Sequence, residues 1–262
     1  MHNFELVTPN SVADAVSALS GEDAQPLGGG QTLIPTMKQR LAAPATLVSM
    51  GGIAEMVGVC VDDDGVMVIG GATTHAQVAA DASASYPALA ALAGQIGDPA
   101  VRNRGTIGGS LANNDPAACY PAGTLGSGAT IVTNAREIAA DDFFQGLFET
   151  ALDEGEIITS VKFPIPEAAN YQKMLQPASR FALTGVFVAS FAGGVRVAVT
   201  GASNEGVHRW SAAEAALSAN FSADAVPEAP SADDLISDLH GTPEYRANLV
   251  KVLTGRAVAA AG

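Results

Sequence analysis

Cysteine is almost absent from this chain. Cys60 and Cys119 are the whole complement, far apart and in no C-x-x-C pair, which excludes a disulfide framework, a cysteine zinc site and the ligand set of an iron–sulfur cluster. Histidine is as sparse: His2, His75, His208 and His240 stand in separate segments without ligand spacing, so no metal site is expected. Positive charge is scarce too. Thirteen Lys and Arg face 27 Asp and Glu, a formal net charge of −14, which excludes a nucleic acid or an anionic membrane held by a basic face. Any phosphate bound here has to be held by backbone amides and a few placed side chains. No apolar run reaches the length of a membrane span, and the opening MHNFELVTPN lacks a basic flank followed by an apolar core, so a cytoplasmic chain is expected.

What is present is core-forming sequence. Over 262 residues, 48% are hydrophobic and only 15% charged, enough to fold into one large or two modest domains. SVADAVSALSG (residues 11–21) reads as a helix opened by Ser11 and stopped at Gly21. Residues 24–28 read as a strand on order alone, since AQPLG has poor strand propensity. MVGVCV and VMVIGG flank Asp62-Asp63-Asp64-Gly65 as a hairpin with a D-G turn; a calcium loop fails there because Val66 stands where a ligand is needed. THAQVAADASASYPALAALAGQIG reads as helix, interruption, helix. ATIVTNAREIAADDFFQGLFET gives strand, turn, and a strand running into a short helix, and EIITSVKFPIP gives a further strand. PEAAN (166–170) marks a boundary. Beyond it FALTGVFVASFAGGVRVAVTGA makes a hairpin at Gly193-Gly194, and WSAAEAALSAN and PEYRANLVKVLTG are helical. The fold class is α+β, with the larger part first.

Two glycine-rich segments carry the chemistry. In PLGGGQTLIPTMKQRL, Gly28, Gly29 and Gly30 offer backbone without Cβ, and Gln31 and Thr32 add side-chain donors. The pattern is open to two readings, an anion nest or a tight strand-to-helix turn. It is neither a dinucleotide G-x-G-x-x-G, since position 33 is Leu33, nor a P-loop, since no Gly-Lys-Ser/Thr follows. The second segment, GDPAVRNRGTIGGSLANNDPAACYP, supplies Gly105, Gly108 and Gly109 around Thr106 and Ser110, with Arg102 and Arg104 upstream and Asn113-Asn114-Asp115 after. Two such loops in one acidic chain point to one long ligand held at both ends, as a dinucleotide is.

These motifs, with IGGATTHAQV, DDFFQGLFETALDEGEIITSVKFP and YQKMLQPASRFAL in the same order, resemble nearly end to end the FAD-binding medium subunits of molybdenum hydroxylases, the group typified by carbon monoxide dehydrogenase. The resemblance implies a vanillyl-alcohol-oxidase-type FAD domain over residues 1–166, in two α/β subdomains of about 1–54 and 55–166. A smaller α+β domain with a three-stranded antiparallel sheet follows over 167–262. By position it implies that Gly28, Gly29, Gly30, Gln31, Thr32 and Leu33 bind the pyrophosphate. Thr106, Ile107, Gly108, Gly109 and Ser110 would bind phosphate and the ribityl side, with Asp115 beyond them. Thr74 and His75 would lie near the cofactor, although His75 also reads as a polar helix-start residue. Ile157, between Glu156 and Ile158, would approach the flavin. Lys173 would place positive charge near the isoalloxazine ring; a surface strand lysine is the other reading. Relatives carry Asp where this chain has Cys119, which reads as a small buried apolar residue.

The implied function is electron transfer through FAD. Electrons would come from the [2Fe–2S] clusters of a small partner subunit, while a large partner holds the molybdenum cofactor, in a dimer of heterotrimers. No residue is nominated as a catalytic acid or base, and no metal ligand. A self-contained FAD-dependent oxidase or reductase and a non-enzymatic nucleotide-binding protein are the alternatives.

Overall fold

The computed structural model describes residues 1–261. Its first layer is a three-stranded parallel sheet made of β1 (Glu5–Val7), β2 (Ala24–Leu27) and β3 (Thr46–Ser49), crossed by α1 (Val12–Leu19) and α2 (Leu33–Lys38). The strand order β1-β3-β2 explains how AQPL can pair at all: β2 is an edge strand, where Pro26 costs no ladder bond. Ser11 caps α1, accepting the Asp14 amide at 3.1 Å. Ala15 and Leu19 then turn inward onto Val48, Met50, Ile53 and Met56.

The second layer is a five-stranded antiparallel sheet of order β4-β5-β10-β6-β7. Its members are β4 (Val59–Val61), β5 (Val66–Gly70), β6 (Thr130–Thr133), β7 (Glu137–Ala139) and β10 (Ile158–Pro164). The Asp-Gly turn forms as expected, with the Asp62 carboxylate accepting the Asp64 and Val66 amides and Gly65 at φ +77°. Between β5 and β6 run α3 (His75–Asp81), α4 (Pro87–Gly94), α5 (Pro99–Arg102), α6 (Ile107–Asn113) and α7 (Cys119–Gly126). After β7 come α8 (Ala140–Phe143) and a small hairpin, β8 (Phe144–Gly146) with β9 (Glu149–Thr150).

The third layer is an antiparallel sheet of β11 (Ala168–Leu175), β12 (Ala182–Phe191), β13 (Gly194–Thr200) and β14 (His208–Arg209). The expected three strands become four because His208 and Arg209 pair with Val199 and Ala198, and Arg209 is anchored by Glu214 at 2.7 Å. Helices α9 (Ser211–Ala219) and α10 (Pro243–Ala260) cover one face. Strand period 2 divides the sheet: Val186, Val188, Val197 and Val199 pack under those helices, while Phe187, Ala189 and Ala198 face α4 and α7. Burial on both faces makes β12 a nearly continuous apolar run. Among the described residues no helix is long and apolar enough to cross a membrane, and no cluster of His, Cys, Asp or Glu is arranged for a metal ion.

Candidate functional site

A cleft of about 590 Å³ opens where the three layers meet, with walls from β2–α2, α5–α6, the α7 start, the residues before β10, and the β11–β12 hairpin. Gly28 to Leu33 form one wall. The glycines are required by contact as well as by conformation. A Cβ on Gly28 would lie 2.7 Å from the Thr106 hydroxyl and one on Gly29 1.8 Å from the Arg104 carbonyl oxygen, and Gly30 has φ +70°. The two glycine segments are therefore docked on each other. Among the described residues, the amides of Gly29, Gly30, Gln31 and Thr32 donate to no protein acceptor. Gln31 folds its side-chain amide back to the Gly29 carbonyl at 3.1 Å, and the Thr32 hydroxyl makes no cap bond. Four consecutive free N–H groups beside a cleft are what an anion nest supplies.

The second segment does a different job. It is the first turn of α6 and not a loop: Thr106 caps the helix by accepting the Gly109 amide at 3.2 Å. Its other amides are already used, Ile107 on Thr73 at 3.1 Å and Gly108 on Gly71 at 2.9 Å. Gly108 exists because α6 lies flush on Gly71, whose carbonyl oxygen would be 2.6 Å from any Cβ. Ile107 is fully buried in the core and does not reach the cleft. Gly109 and Ser110 do, Gly109 with only the Thr106 hydroxyl near its Cβ position.

Beyond α6 the chain turns sharply. Asn114 takes the left-handed conformation and spends its side chain on the Gly146 and Glu149 carbonyls, both at 2.8 Å, which fixes the β8–β9 hairpin. Asn113 and Asp115 line the cleft. Burial pushes the Asp115 carboxyl up from its ordinary value, offset in part by the Ala117 amide at 2.9 Å. The following turn is pinned to β13, where the Thr200 hydroxyl donates to Pro116 and Ala118 carbonyls. That fixes the start of α7 and with it Cys119.

Thr74 does not line the cleft; its hydroxyl and Gln77 form the capping box of α3. His75 does line it. The ring is 5% exposed, its centroid is 5.3 Å from that of Tyr120, and Nδ1 has no partner among the described residues. Burial first, and the Arg102 charge second, hold it down to about 4, so the imidazole is neutral at pH 7.

Ile157 sits on the opposite wall, held by its neighbours. Its amide donates to Asn134 at 2.8 Å, and Glu156 beside it accepts Thr133 at 2.6 Å, Arg136 at 3.0 Å and the Asp153 amide at 2.8 Å. The Arg136 hydrogen bond is the main reason that the Glu156 carboxyl is lowered to about 2. Arg136 was not legible as part of the site, because its effect passes through Glu156.

Lys173 closes the far corner. Its Nζ donates to the carbonyls of Gln95 and Arg180, each at 2.8 Å, and to Cys119 Sγ at 3.4 Å. One lysine thus ties α4, the β11–β12 hairpin and α7 together. Cys119 is buried as expected but is not merely apolar filling, since its sulfur takes part in this contact and lines the cleft. Ser179, Arg180 and Phe181 of the hairpin also line it and carried no motif in the sequence.

A family model described as "FAD binding domain in molybdopterin dehydrogenase" matches residues 2–166. The chain is 33% identical to the carbon monoxide dehydrogenase medium chain of Afipia carboxidovorans, covering 98% of this chain and 96% of that one. It is 34% identical to the nicotine 6-hydroxylase medium subunit of Paenarthrobacter nicotinovorans, covering 99% and 97%. Among solved structures, quinoline 2-oxidoreductase from Pseudomonas putida 86 superimposes with a TM-score of 0.88 at 28% identity, over 99% of this chain and 97% of that one.

Proposed function

We infer function from one premise: the chain belongs to the FAD-binding family of molybdopterin dehydrogenases. It is an oxidoreductase component whose cofactor is FAD, and its task is electron transfer in a molybdenum hydroxylase. The observation that carries this reading at the residue level is the row of unpaired amides from Gly29 to Thr32. An elongated dinucleotide fits a cleft with that nest on one wall and a lysine at the far corner.

When bound, the flavin supplies the step between one-electron carriers and a two-electron acceptor. The chain's own residues bind and orient it. The Gly29–Thr32 amides would hold the pyrophosphate, with Gly28 and Leu33 shaping that wall. Gly109 leaves room for close approach, Ser110 and Asp115 offer polar groups to the ribityl hydroxyls, and Ile157 gives an apolar surface. Neutral His75 supplies an uncharged ring nitrogen. Lys173 would stand near the isoalloxazine. Residues 1–54 and 55–166 act as the two halves of a vanillyl-alcohol-oxidase-type clasp, and 167–262 form the domain that brings Lys173. The chain works beside a large molybdenum-cofactor subunit and a small [2Fe–2S] subunit, in a dimer of heterotrimers. The medium-chain relatives support partner subunits, and Met174, Leu175 and Phe181, exposed apolar side chains on the hairpin beside the cleft, offer them a surface.

The test is the visible spectrum of the purified chain and the identity of the flavin released by acid. Flavin bands at near-stoichiometric occupancy, with FAD in the extract, are expected. Bleaching of those bands on addition of a reduced [2Fe–2S] protein would establish the direction of electron flow. A colourless protein that takes up no added FAD would defeat the reading.

A further inference from the structure

Lys173 is anchored without being neutralised. Its ammonium donates to two backbone carbonyls and a cysteine sulfur, and among the described residues no carboxylate oxygen lies within 4.0 Å of it. The charges around the cleft do not supply one either. Arg180, on the same hairpin, is a second cation, donating to the Gly97 carbonyl at 3.5 Å. Glu156 is occupied by Arg136 and Thr133, and Asp115 accepts the Ala117 amide. In contact with the lysine lies Cys119, 5% exposed, with the buried Tyr171 side chain also interacting with its thiol. A side chain at this position meets the ammonium at contact distance, so its charge decides what the cleft experiences.

We propose that Cys119 is a positioning residue for the redox potential of the bound flavin: it supports the Lys173 ammonium without placing a carboxylate beside it, leaving that positive charge in the cleft wall. The proposal rests on the FAD reading above. On taking two electrons from the iron–sulfur partner and one proton from solvent, the ring gains one negative charge, and the same two electrons leave together to the acceptor. A rigid cation favours that reduced form, and a carboxylate in place of the thiol would cancel most of the effect.

The experiment uses the full chain loaded with FAD and equilibrated with a redox dye at fixed ambient potential. Cys119→Asn and Cys119→Asp have one shape and differ in charge. Cys119→Asn should hold the oxidised-to-reduced ratio within about twofold of the parent, while Cys119→Asp and Lys173→Gln should each raise it about tenfold, equivalent to ~30 mV for a two-electron couple. Equal ratios for Cys119→Asn and Cys119→Asp would overturn the proposal, as would a Lys173→Gln protein that matches the parent. If Cys119→Asp retains no FAD, Cys119→Asn against Lys173→Gln decides: a Cys119→Asn ratio that matches Lys173→Gln rather than the parent would overturn the proposal. A parent chain that binds no FAD defeats the functional reading instead, so the two failures are distinct.

Discussion

The backbone of Gly29 touches that of Arg104 so closely that a Cβ on Gly29 would sit 1.8 Å from the Arg104 carbonyl oxygen and 2.6 Å from the Gly105 Cα. The first glycine segment is therefore a docking surface as well as a nest. Gly29→Ala is expected to force the two segments apart, to cost about 2–3 kcal/mol of stability as an overpacked backbone contact, and to strip the protein of FAD. Gly51→Ala is the control, with nothing within 4 Å of its Cβ position, and should stay within about 0.5 kcal/mol. Urea midpoints and flavin-to-protein ratios of the two variants check this.

Gly109 separates binding from folding. Its Cβ position has only the Thr106 hydroxyl as a close neighbour, at 3.0 Å, and the residue faces the cleft. Gly109→Val should cost no more than about 1–2 kcal/mol, the worth of a disturbed Thr106 cap. FAD affinity should fall at least about tenfold, or ~1.4 kcal/mol. Titration of the apoprotein with FAD, beside a circular dichroism melt, reads both; unchanged affinity would remove α6 from the binding wall.

The chain should lose stability in mild acid through His75. The imidazole titrates at 6.5 in the unfolded chain and at about 4 in the fold, so folding favours its neutral form. Its contribution is complete above about pH 6.5 and disappears as the pH falls toward 4, with a slope of up to ~1.4 kcal/mol per pH unit. His75→Phe keeps a ring against Tyr120 and should remove that part of the slope. Denaturant unfolding of both proteins at pH 7.0, 5.5 and 4.5 measures it, and parallel slopes would show that another group is responsible.

Arg246 holds the third layer and not the cleft. Its guanidinium is 2% exposed and donates to the Leu183 and Gly201 carbonyls and to Asp238. Arg246→Met leaves those acceptors without their donor and should cost about 3 kcal/mol. The flavin-to-protein ratio of the folded fraction should match the parent, which distinguishes this loss from that of Gly29→Ala.

Local features were legible in the sequence where one residue type dictates the geometry. The Ser11 cap and the Asp64-Gly65 turn form as their residues require, and the hairpin expected at Gly193-Gly194 forms one residue earlier, with Ala192 and Gly193 in the turn and Gly194 already paired with Phe191. That the two glycine segments come together was legible as well, since both line one cleft. The division of labour between them was not. The amides of Ile107 and Gly108 are spent on Thr73 and Gly71, far upstream in sequence, and that of Gly109 on Thr106, while those of Gly29–Thr32 stay free. The same holds for Lys173 and Cys119, 54 positions apart, whose contact exists only once the β11–β12 hairpin packs on α4 and α7. FFQGLFET gave no hairpin signal because Asn114, far off in sequence, supplies the bonds that fold it. Pro26 concealed β2, and only its edge position reconciles the proline with pairing.

The cleft draws its first wall from residues 28–33 and its last from the β11–β12 hairpin, with Lys173 on β11. During synthesis the nest leaves the ribosome well over a hundred residues before the lysine does. A nascent chain carries the first wall alone until the later lining residues follow, and a product truncated before β11 never acquires the lysine. A ligand that needs both walls is thereby barred until the chain has been made through the β11–β12 hairpin, whatever the state of the helices that follow.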